Sequence, residues 1–132
     1  MTLAHSVYLQ DVLQEGGLKH AVELARDCII DECEVEFEAI AVTGVSGMLL
    51  GPTLAFVLGK RLAVVRKEDD RNNHAMVRVE HNLQPDDRVI FVDDLIASGQ
   101  TLARVEKSID GILEGVVLTG YYLYHHGEFT FL

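Results

Sequence analysis

The apolar positions along the chain form two patterns. One is a spacing of three and four residues, typical of amphipathic helices, and the other is a short continuous run, typical of buried strands. A first helix, beginning at Gly16-Gly17, is predicted where apolar residues recur at spacings of three and four: Leu18, Ala21, Val22, Ala25, Cys28 and Ile29. A second helix is predicted from Pro52 through Leu58, because proline suits a first turn and Gly59 suits the left-handed position after a last turn. The same helical period marks a third helix with Leu102, Val105, Ile109, Ile112 and Leu113.

Short continuous apolar runs between these helices predict buried strands. They are Phe37 to Val42, Leu62 to Val65, Val89 to Val92 and a run that begins at Val116 to Leu118, with Met76, Val77 and Val79 as a short strand or hairpin arm. Strand and helix therefore alternate. This order predicts a doubly wound α/β fold, with a mainly parallel sheet, helices on both faces and ligand sites at the carboxyl ends of the strands.

The length and charge of the chain narrow the classes of function. With 132 residues, of which 48% are apolar, the chain fits a single domain over residues 1–132 with a core at about 37–120. The formal net charge of −10 would repel a nucleic-acid backbone, so we expect no nucleic-acid partner. A small anionic metabolite remains compatible, because backbone N–H groups at a helix N-terminus supply local positive potential.

The cysteines and the hydropathy indicate a cytoplasmic protein. Cys28 and Cys33 are too few for a disulfide framework or a four-ligand zinc site, and we expect reduced thiols. No run of 18 or more apolar residues occurs, and residues 1–10 lack the pattern of a signal peptide, so no membrane association is expected.

The most informative segment is the run from Val89 to Thr101. It reads as an apolar strand, the two carboxylates Asp93 and Asp94, a turn of small residues and then a helix. The turn would direct backbone N–H groups inward as an anion cradle, to which the hydroxyls of Ser98 and Thr101 can add hydrogen bonds. Carboxylates beside a phosphate cradle suit a ligand that has both a phosphate and a vicinal diol, such as a ribose 5-phosphate.

This segment resembles the phosphoribosyl pyrophosphate motif of the type I phosphoribosyltransferases over about fourteen residues. The resemblance implies that Asp93 and Asp94 hold the ribose hydroxyls, favour the transition state and contact Mg²⁺. It also implies that the 5-phosphate is wrapped by Ala97, Ser98, Gly99, Gln100 and Thr101. The expected reaction transfers ribosyl 5-phosphate from 5-phosphoribosyl 1-pyrophosphate to a nucleobase and releases pyrophosphate, and the family is usually dimeric, so a homodimer is expected.

Two further segments are similar to the family in order. The glycine-rich turn after the first strand corresponds to the pyrophosphate loop, which implies contacts from Val45, Ser46 and Gly47. The second strand ends in Val65-Arg66-Lys67-Glu68, similar to the start of the flexible catalytic loop of orotate phosphoribosyltransferases. That similarity adds Arg66 and Lys67 to the pyrophosphate site, with Arg71 as a catalytic candidate and His74 beside it in the loop.

Departures from the family keep a second function open. Ser46 is neutral where many members have Lys or Arg, and the loop that continues from Asp69 to His74 lacks the usual further lysine. The short chain also leaves room only for a small or reduced hood over the base. We therefore favour an enzyme and keep, as the alternative, a non-catalytic module that binds phosphoribosyl pyrophosphate or a nucleotide.

Other interpretations of the same residues are weaker. No G-x-x-x-x-G-K-[ST] or G-x-G-x-x-G pattern occurs, which disfavours a nucleoside triphosphatase and a nicotinamide enzyme. The pair His125-His126 lacks partners at metal-ligand spacing and more often marks a polar edge. The C-terminal aromatic residues could stack a base but more often form an edge strand or a subunit contact: Tyr121, Tyr122, Tyr124, Phe129 and Phe131.

Overall fold

The computed structural model describes residues 16–33, 36–66, 78–94, 99–124 and 127–132. The elements in chain order are α1 (Gly17–Glu32), β1 (Ala39–Thr43), α2 (Gly44–Leu58), β2 (Arg61–Val65), β3 (Val79–His81), β4 (Arg88–Asp93), α3 (Gln100–Ile109), β5 (Val117–Leu123) and β6 (Glu128–Phe131). The strands form one sheet in the order β3-β2-β1-β4-β5-β6.

The sheet is mainly parallel, as predicted. Strand β1 pairs in parallel with β2 and β4, and β4 pairs in parallel with β5. The two outer strands, β3 and β6, run antiparallel to their neighbours. Of the C-terminal aromatic residues, Phe129 and Phe131 lie in the edge strand β6, as predicted, whereas Tyr121 and Tyr122 lie in the interior strand β5.

Helices cover both faces of the sheet, which confirms the predicted fold class. Successive residues of β1 point to opposite faces, so Ile40 and Val42 pack in one core and Ala39 and Ala41 in the other. The first core contains the buried residues of α1 and α2, among them Ile29 and Leu50. The second contains the buried residues of α3, Val105 and Ile109.

The start of α2 differs from the prediction. Residues Gly44 to Gly47 were expected to form a loop before a helix at Pro52, whereas α2 begins at Gly44, directly after β1. The reason lies in packing: buried positions of α2 recur at helical spacing, at Gly47, Leu50, Gly51, Leu54 and Ala55. A Cβ at Gly47 would lie 3.2 Å from Cβ of Val42, and one at Gly51 would overlap the Val42 side chain. Both glycines thus allow the helix to approach β1 closely.

The remaining boundaries agree with the sequence within a few residues. Helix α3 ends at Ile109, so Ile112 and Leu113 lie in the turn before β5 and still pack against the second core. Cys28 and Cys33 are not joined in a disulfide, in agreement with the expected reduced thiols. Among the described residues, no helix combines the length and the apolar character needed to cross a bilayer.

Candidate functional site

The candidate site lies at the carboxyl ends of β1 and β4, where the order of the strands reverses. From β1 the chain proceeds outward to β2 and β3, and from β4 outward to β5 and β6. In open α/β sheets the crevice at this reversal point is the usual place for a ligand. Strand β1 delivers Thr43 and the first turn of α2 to this edge, and β4 delivers Asp93 and Asp94.

Asp93 and Asp94 are buried carboxylates, with 5% and 9% of their surface exposed. Burial, together with the neighbouring Asp94 carboxylate, raises the pKa of Asp93 to about 7, although hydrogen bonds from the Asp94 backbone and the Ser46 hydroxyl act in the opposite direction. Ionisation of this carboxyl is thus costly in the free protein, and a bound cation or hydroxyl donors of a ligand would stabilise its charged form.

Carboxylates at the opposite end of the sheet, at the amino ends of the strands, are paired with arginines and have lowered pKa values. Arg61 donates to both oxygens of the buried Asp87, and Arg88 donates to Glu38 through Nε at 3.0 Å and Nη2 at 2.6 Å. These hydrogen bonds hold the pKa of Asp87 and of Glu38 below their usual range. Charges at the amino ends of the strands are therefore paired, whereas Asp93 forms no ion pair with the described residues.

Three hydrogen bonds link Asp93, Ser46 and Tyr124 to one another. The Ser46 hydroxyl donates to Oδ1 of Asp93 at 3.1 Å. The Tyr124 hydroxyl donates to the carbonyl oxygen of Ser46 at 2.9 Å, and the Tyr124 backbone N–H donates to the carbonyl oxygen of Asp93 at 2.9 Å. Ser46, predicted as a pyrophosphate contact, thus touches the carboxylate that was predicted to hold ribose.

The first turn of α2 presents backbone N–H groups at this edge. The residue before the helix, Thr43, makes no capping bond to the turn, because its hydroxyl donates to the carbonyl oxygen of Val65 at 2.6 Å. Gly44 has a φ of 66°, which a glycine adopts without strain, and this turns the chain from β1 into α2. The first N–H groups of a helix lack intrahelical acceptors, so this turn can accept an anion.

A cleft of about 620 Å³ lies beside this turn, over the carboxyl ends of β1 and β2. It is lined by Gly44, Val45, Met48, Leu49, Val64, Val65 and Arg66. Two of the predicted pyrophosphate residues, Val45 and Arg66, therefore border the same cleft. Arg66 is exposed and lies 3.4 Å from Glu80.

The first turn of α3 lies after the carboxylates in the chain. Gly99 precedes the helix with a φ of 77°, and Gln100 and Thr101 form its first turn. One turn further, Arg104 has buried Nε and Nη2 atoms that have no hydrogen-bond partner in the described part of the chain. Sequence reasoning did not single out Arg104, since an arginine in an amphipathic helix is ordinarily solvated.

Several predicted site residues lie outside the described residues: Ala97, Ser98, Lys67, Arg71 and His74. The pair His125-His126, predicted to mark a polar edge, also lies outside them. Within the described ranges, no group of three or more His, Cys, Asp and Glu side chains could hold a metal ion. Asp93 and Asp94 remain a pair of oxygen ligands, which suits a metal whose other ligands come from a substrate.

Comparisons with known proteins give a consistent answer. No family model matches the chain. An adenine phosphoribosyltransferase of Bifidobacterium longum is 35% identical over 99 residues, which cover 65% of this chain and 50% of that protein. The orotate phosphoribosyltransferase of Aeropyrum pernix has the same fold with a TM-score of 0.72 at 20% identity, over 86% of this chain and 61% of that chain. The chain is a relative of the type I phosphoribosyltransferases.

A second solved structure supports this relationship. The adenine phosphoribosyltransferase of Saccharomyces cerevisiae, complexed with an imino-altritol bisphosphate and adenine, matches with a TM-score of 0.69 at 22% identity, over 91% of this chain and 77% of that chain. This relative of the type I phosphoribosyltransferases spans about half the length of the curated relatives it matches.

Proposed function

We propose that this phosphoribosyltransferase relative binds 5-phosphoribosyl 1-pyrophosphate and transfers its ribosyl 5-phosphate to a nitrogen base, with release of pyrophosphate. One observation carries the proposal. Two buried carboxylates, Asp93 and Asp94, end β4 at the reversal point of the sheet, and a glycine-initiated helix follows them. In the proposed complex the carboxylates accept hydrogen bonds from the ribose hydroxyls, and residues 97–101 bind the 5-phosphate.

The environment of Arg104 favours the binding of an anion at the start of α3. Nε and Nη2 of its guanidinium are buried without hydrogen-bond partners among the described residues, which is unfavourable, and a phosphate is an acceptor that suits a guanidinium well. Long side chains of a helix lean towards its N-terminus, so Arg104 belongs over the turn that contains Gln100 and Thr101. We therefore add Arg104 to the proposed 5-phosphate site, beside the hydroxyl of Thr101.

Asp93 and Asp94 also fit Mg²⁺. This ion prefers oxygen ligands, and it commonly binds proteins through one or two carboxylates together with substrate phosphates. The raised pKa of Asp93 reflects burial of negative charge that a cation would stabilise. When bound, Mg²⁺ would neutralise charge on the leaving pyrophosphate.

The residues of the protein would then position the donor and stabilise the charge that develops on it. Positive charge develops at the anomeric carbon of the ribose as pyrophosphate leaves, and the buried carboxylates at the end of β4 favour that charge electrostatically. The first turn of α2, with Val45, Ser46 and Gly47, would bind the pyrophosphate through its N–H groups. Arg66, on the same cleft, supplies a nearby cation.

Adenine is the first acceptor to test, because the curated relatives are named adenine phosphoribosyltransferases. The solved structures with this fold include orotate as well as adenine enzymes, so the fold by itself does not select the base.

One observation favours the alternative of a non-catalytic binding module. Ser46 donates to Asp93, and a neutral hydroxyl at this position provides no positive charge for a departing pyrophosphate. A module of this kind would bind ribose 5-phosphate, phosphoribosyl pyrophosphate or a nucleotide and release no product.

We extend the proposal to a homodimer. Helix α2 contains no charged residue in a chain of net charge −10, and most of its exposed positions are apolar. Val45 is 82% and Phe56 is 86% exposed, and Met48 and Val57 are also exposed. An uncharged apolar face is where two copies of an acidic chain can approach without repulsion.

Pyrophosphate release distinguishes the two functions. The protein is incubated with Mg²⁺, phosphoribosyl pyrophosphate and, separately, adenine, hypoxanthine, guanine, uracil or orotate. Release that depends on one base supports the enzyme, and the variant Asp93→Asn/Asp94→Asn should abolish it. Saturable binding of the donor without release for any base would support the binding module instead.

A further inference from the structure

The hydrogen bonds of Asp93, Ser46 and Tyr124 form a closed ring. Asp93 accepts from the Ser46 hydroxyl at Oδ1 and from the Tyr124 N–H at its carbonyl oxygen, and Ser46 accepts from the Tyr124 hydroxyl at its own carbonyl oxygen. The three residues belong to separate elements: the end of β4, the first turn of α2 and the residue after β5.

The ring restrains the first turn of α2, because few other interactions of the described residues hold the start of this helix. The Thr43 hydroxyl is committed to β2 and does not cap α2. The buried contacts of the helix lie from Gly47 onward, against Val42. The Tyr124 and Ser46 hydrogen bonds therefore fix the first turn of α2 relative to the carboxylate of Asp93.

We propose that Tyr124 is a positioning residue of the phosphoribosyl pyrophosphate site: by holding the Ser46 backbone, it keeps the Ser46 hydroxyl on Asp93 and the first turn of α2 in its binding position. This inference rests on the proposed function for its ligand. A ligand that spans both parts, the full donor, depends on the ring more than ribose 5-phosphate does, because ribose 5-phosphate lacks the group that reaches the turn.

The ring can be tested without any ligand. Tyr124→Phe removes one hydroxyl, and Tyr121→Phe, on the part of β5 that packs in the other core, is the matched control. The measurement is amide hydrogen exchange at Met48, Leu49 and Leu50, whose N–H groups close the first helical turn onto carbonyls 44 to 46. We expect exchange about five- to tenfold faster in Tyr124→Phe, as for the loss of one net hydrogen bond, and unchanged in Tyr121→Phe.

A second arm measures binding of the donor and of ribose 5-phosphate by calorimetry, with Mg²⁺. Tyr124→Phe should weaken the donor about five- to tenfold and ribose 5-phosphate by less than about threefold. If Tyr124 acts through Ser46, the double variant Tyr124→Phe/Ser46→Ala loses no more affinity than the larger of the two single losses. The proposal would be overturned if the fold losses of the two single variants multiply in the double variant. It would also be overturned if Tyr124→Phe is identical to wild type in both arms.

The two arms separate this proposal from the function on which it rests. A wild-type protein that binds neither ligand contradicts the proposed function, while the exchange experiment still decides whether Tyr124 holds the turn. Thermal unfolding of both tyrosine variants shows whether a faster exchange is local to α2, as expected, or reflects a destabilised fold, which would count against a positioning role.

Discussion

Identical side-chain types have opposite electrostatic states at the two ends of this sheet. Asp87 binds Arg61 and has a lowered pKa, whereas Asp93 is buried beside Asp94 and has a raised pKa. The cause is the presence or absence of cationic side chains nearby. Arginines are the first residues of β2 and β4, whereas small neutral residues follow the carboxyl end of β1. A carboxylate that is costly to ionise in the free protein is suited to receive a cation or hydroxyl donors from a ligand.

The raised pKa of Asp93 predicts how stability depends on pH. In the unfolded chain this carboxyl titrates near 3.8, and in the folded protein near 7, so between these values the folded state binds the extra proton. The contribution of Asp93 to the free energy of unfolding therefore falls as pH rises from about 4 to about 7, and is constant outside this window. Asp93→Asn should remove this dependence and be more stable than wild type at pH 8.

Urea unfolding of the two proteins across this pH range makes the comparison. Asp31→Asn, at an exposed carboxyl of α1, is the control for loss of a charge without loss of a buried one. Equal pH dependence of wild type and Asp93→Asn would show that Asp93 is ionised in the folded protein throughout.

The buried guanidinium of Arg104 predicts a second effect at a single residue. Arg104→Met keeps the unbranched apolar stem and removes two buried guanidinium nitrogens without hydrogen-bond partners within the described ranges, so the ligand-free protein should gain about 1–2 kcal/mol of stability. Ribose 5-phosphate should bind more weakly to the same variant. Lys107→Met, on the exposed side of α3, should change stability by less than about 0.5 kcal/mol and leave binding unchanged. A destabilised Arg104→Met variant would indicate that the guanidinium has a partner in the free protein.

At the scale of elements, α2 shows where sequence interpretation failed and why. The glycine-rich turn from Gly44 to Gly47 is predicted from the sequence to be a pyrophosphate loop that precedes a helix. In the structure Gly44 turns the chain, while Gly47 and Gly51 lie four residues apart on the face that packs on Val42. A glycine can permit a turn, a phosphate-binding loop or close packing of a helix, and only its contacts in the structure distinguish these roles.

This packing yields a prediction for Gly51. A Cβ at this position overlaps the side chain of Val42, so Gly51→Ala should lower the free energy of unfolding by about 1–3 kcal/mol despite the better helix propensity of alanine. Thr53→Ala, on the exposed side of α2, should be nearly neutral. Adding Val42→Ala to Gly51→Ala should recover part of the loss, and a double variant whose losses simply add would argue against the contact.

The sheet and the carboxylates were predictable from the sequence, and the ring around Asp93 was not. Val89 to Val92 is a continuous apolar run, and a run of this kind that ends in two acids predicts a buried strand with its acids at the ligand-binding edge. Ser46 is 47 residues from Asp93 and 78 from Tyr124 along the chain, and no spacing rule connects positions so distant. Tyr124 was grouped with the C-terminal aromatic residues, whereas its contribution here comes from its hydroxyl.

At the scale of the whole molecule, charge and apolar surface are distributed unevenly. The chain has 21 acidic and 11 basic side chains, yet α2 has neither. If α2 is the surface between two copies, Phe56→Glu should shift the protein from dimer to monomer, because it adds a charge to the most exposed apolar residue of that face. Sedimentation equilibrium of wild type and Phe56→Glu measures the shift, with Leu24→Glu, at an exposed apolar residue of α1, as the control for added charge. Dimers that persist in Phe56→Glu would place the interface elsewhere.

The central claim is that Asp93 and Asp94 form the ribose site of a phosphoribosyl pyrophosphate-binding protein. Calorimetric titration of phosphoribosyl pyrophosphate with Mg²⁺ into wild type and into Asp93→Asn/Asp94→Asn tests it most directly, since the asparagines keep the size of the side chains and remove their charge. We predict saturable binding to wild type, one ligand per chain, and at least a hundredfold loss in the double variant, with the same far-ultraviolet circular dichroism. Equal affinity of the two proteins, or no binding to wild type, would contradict the account.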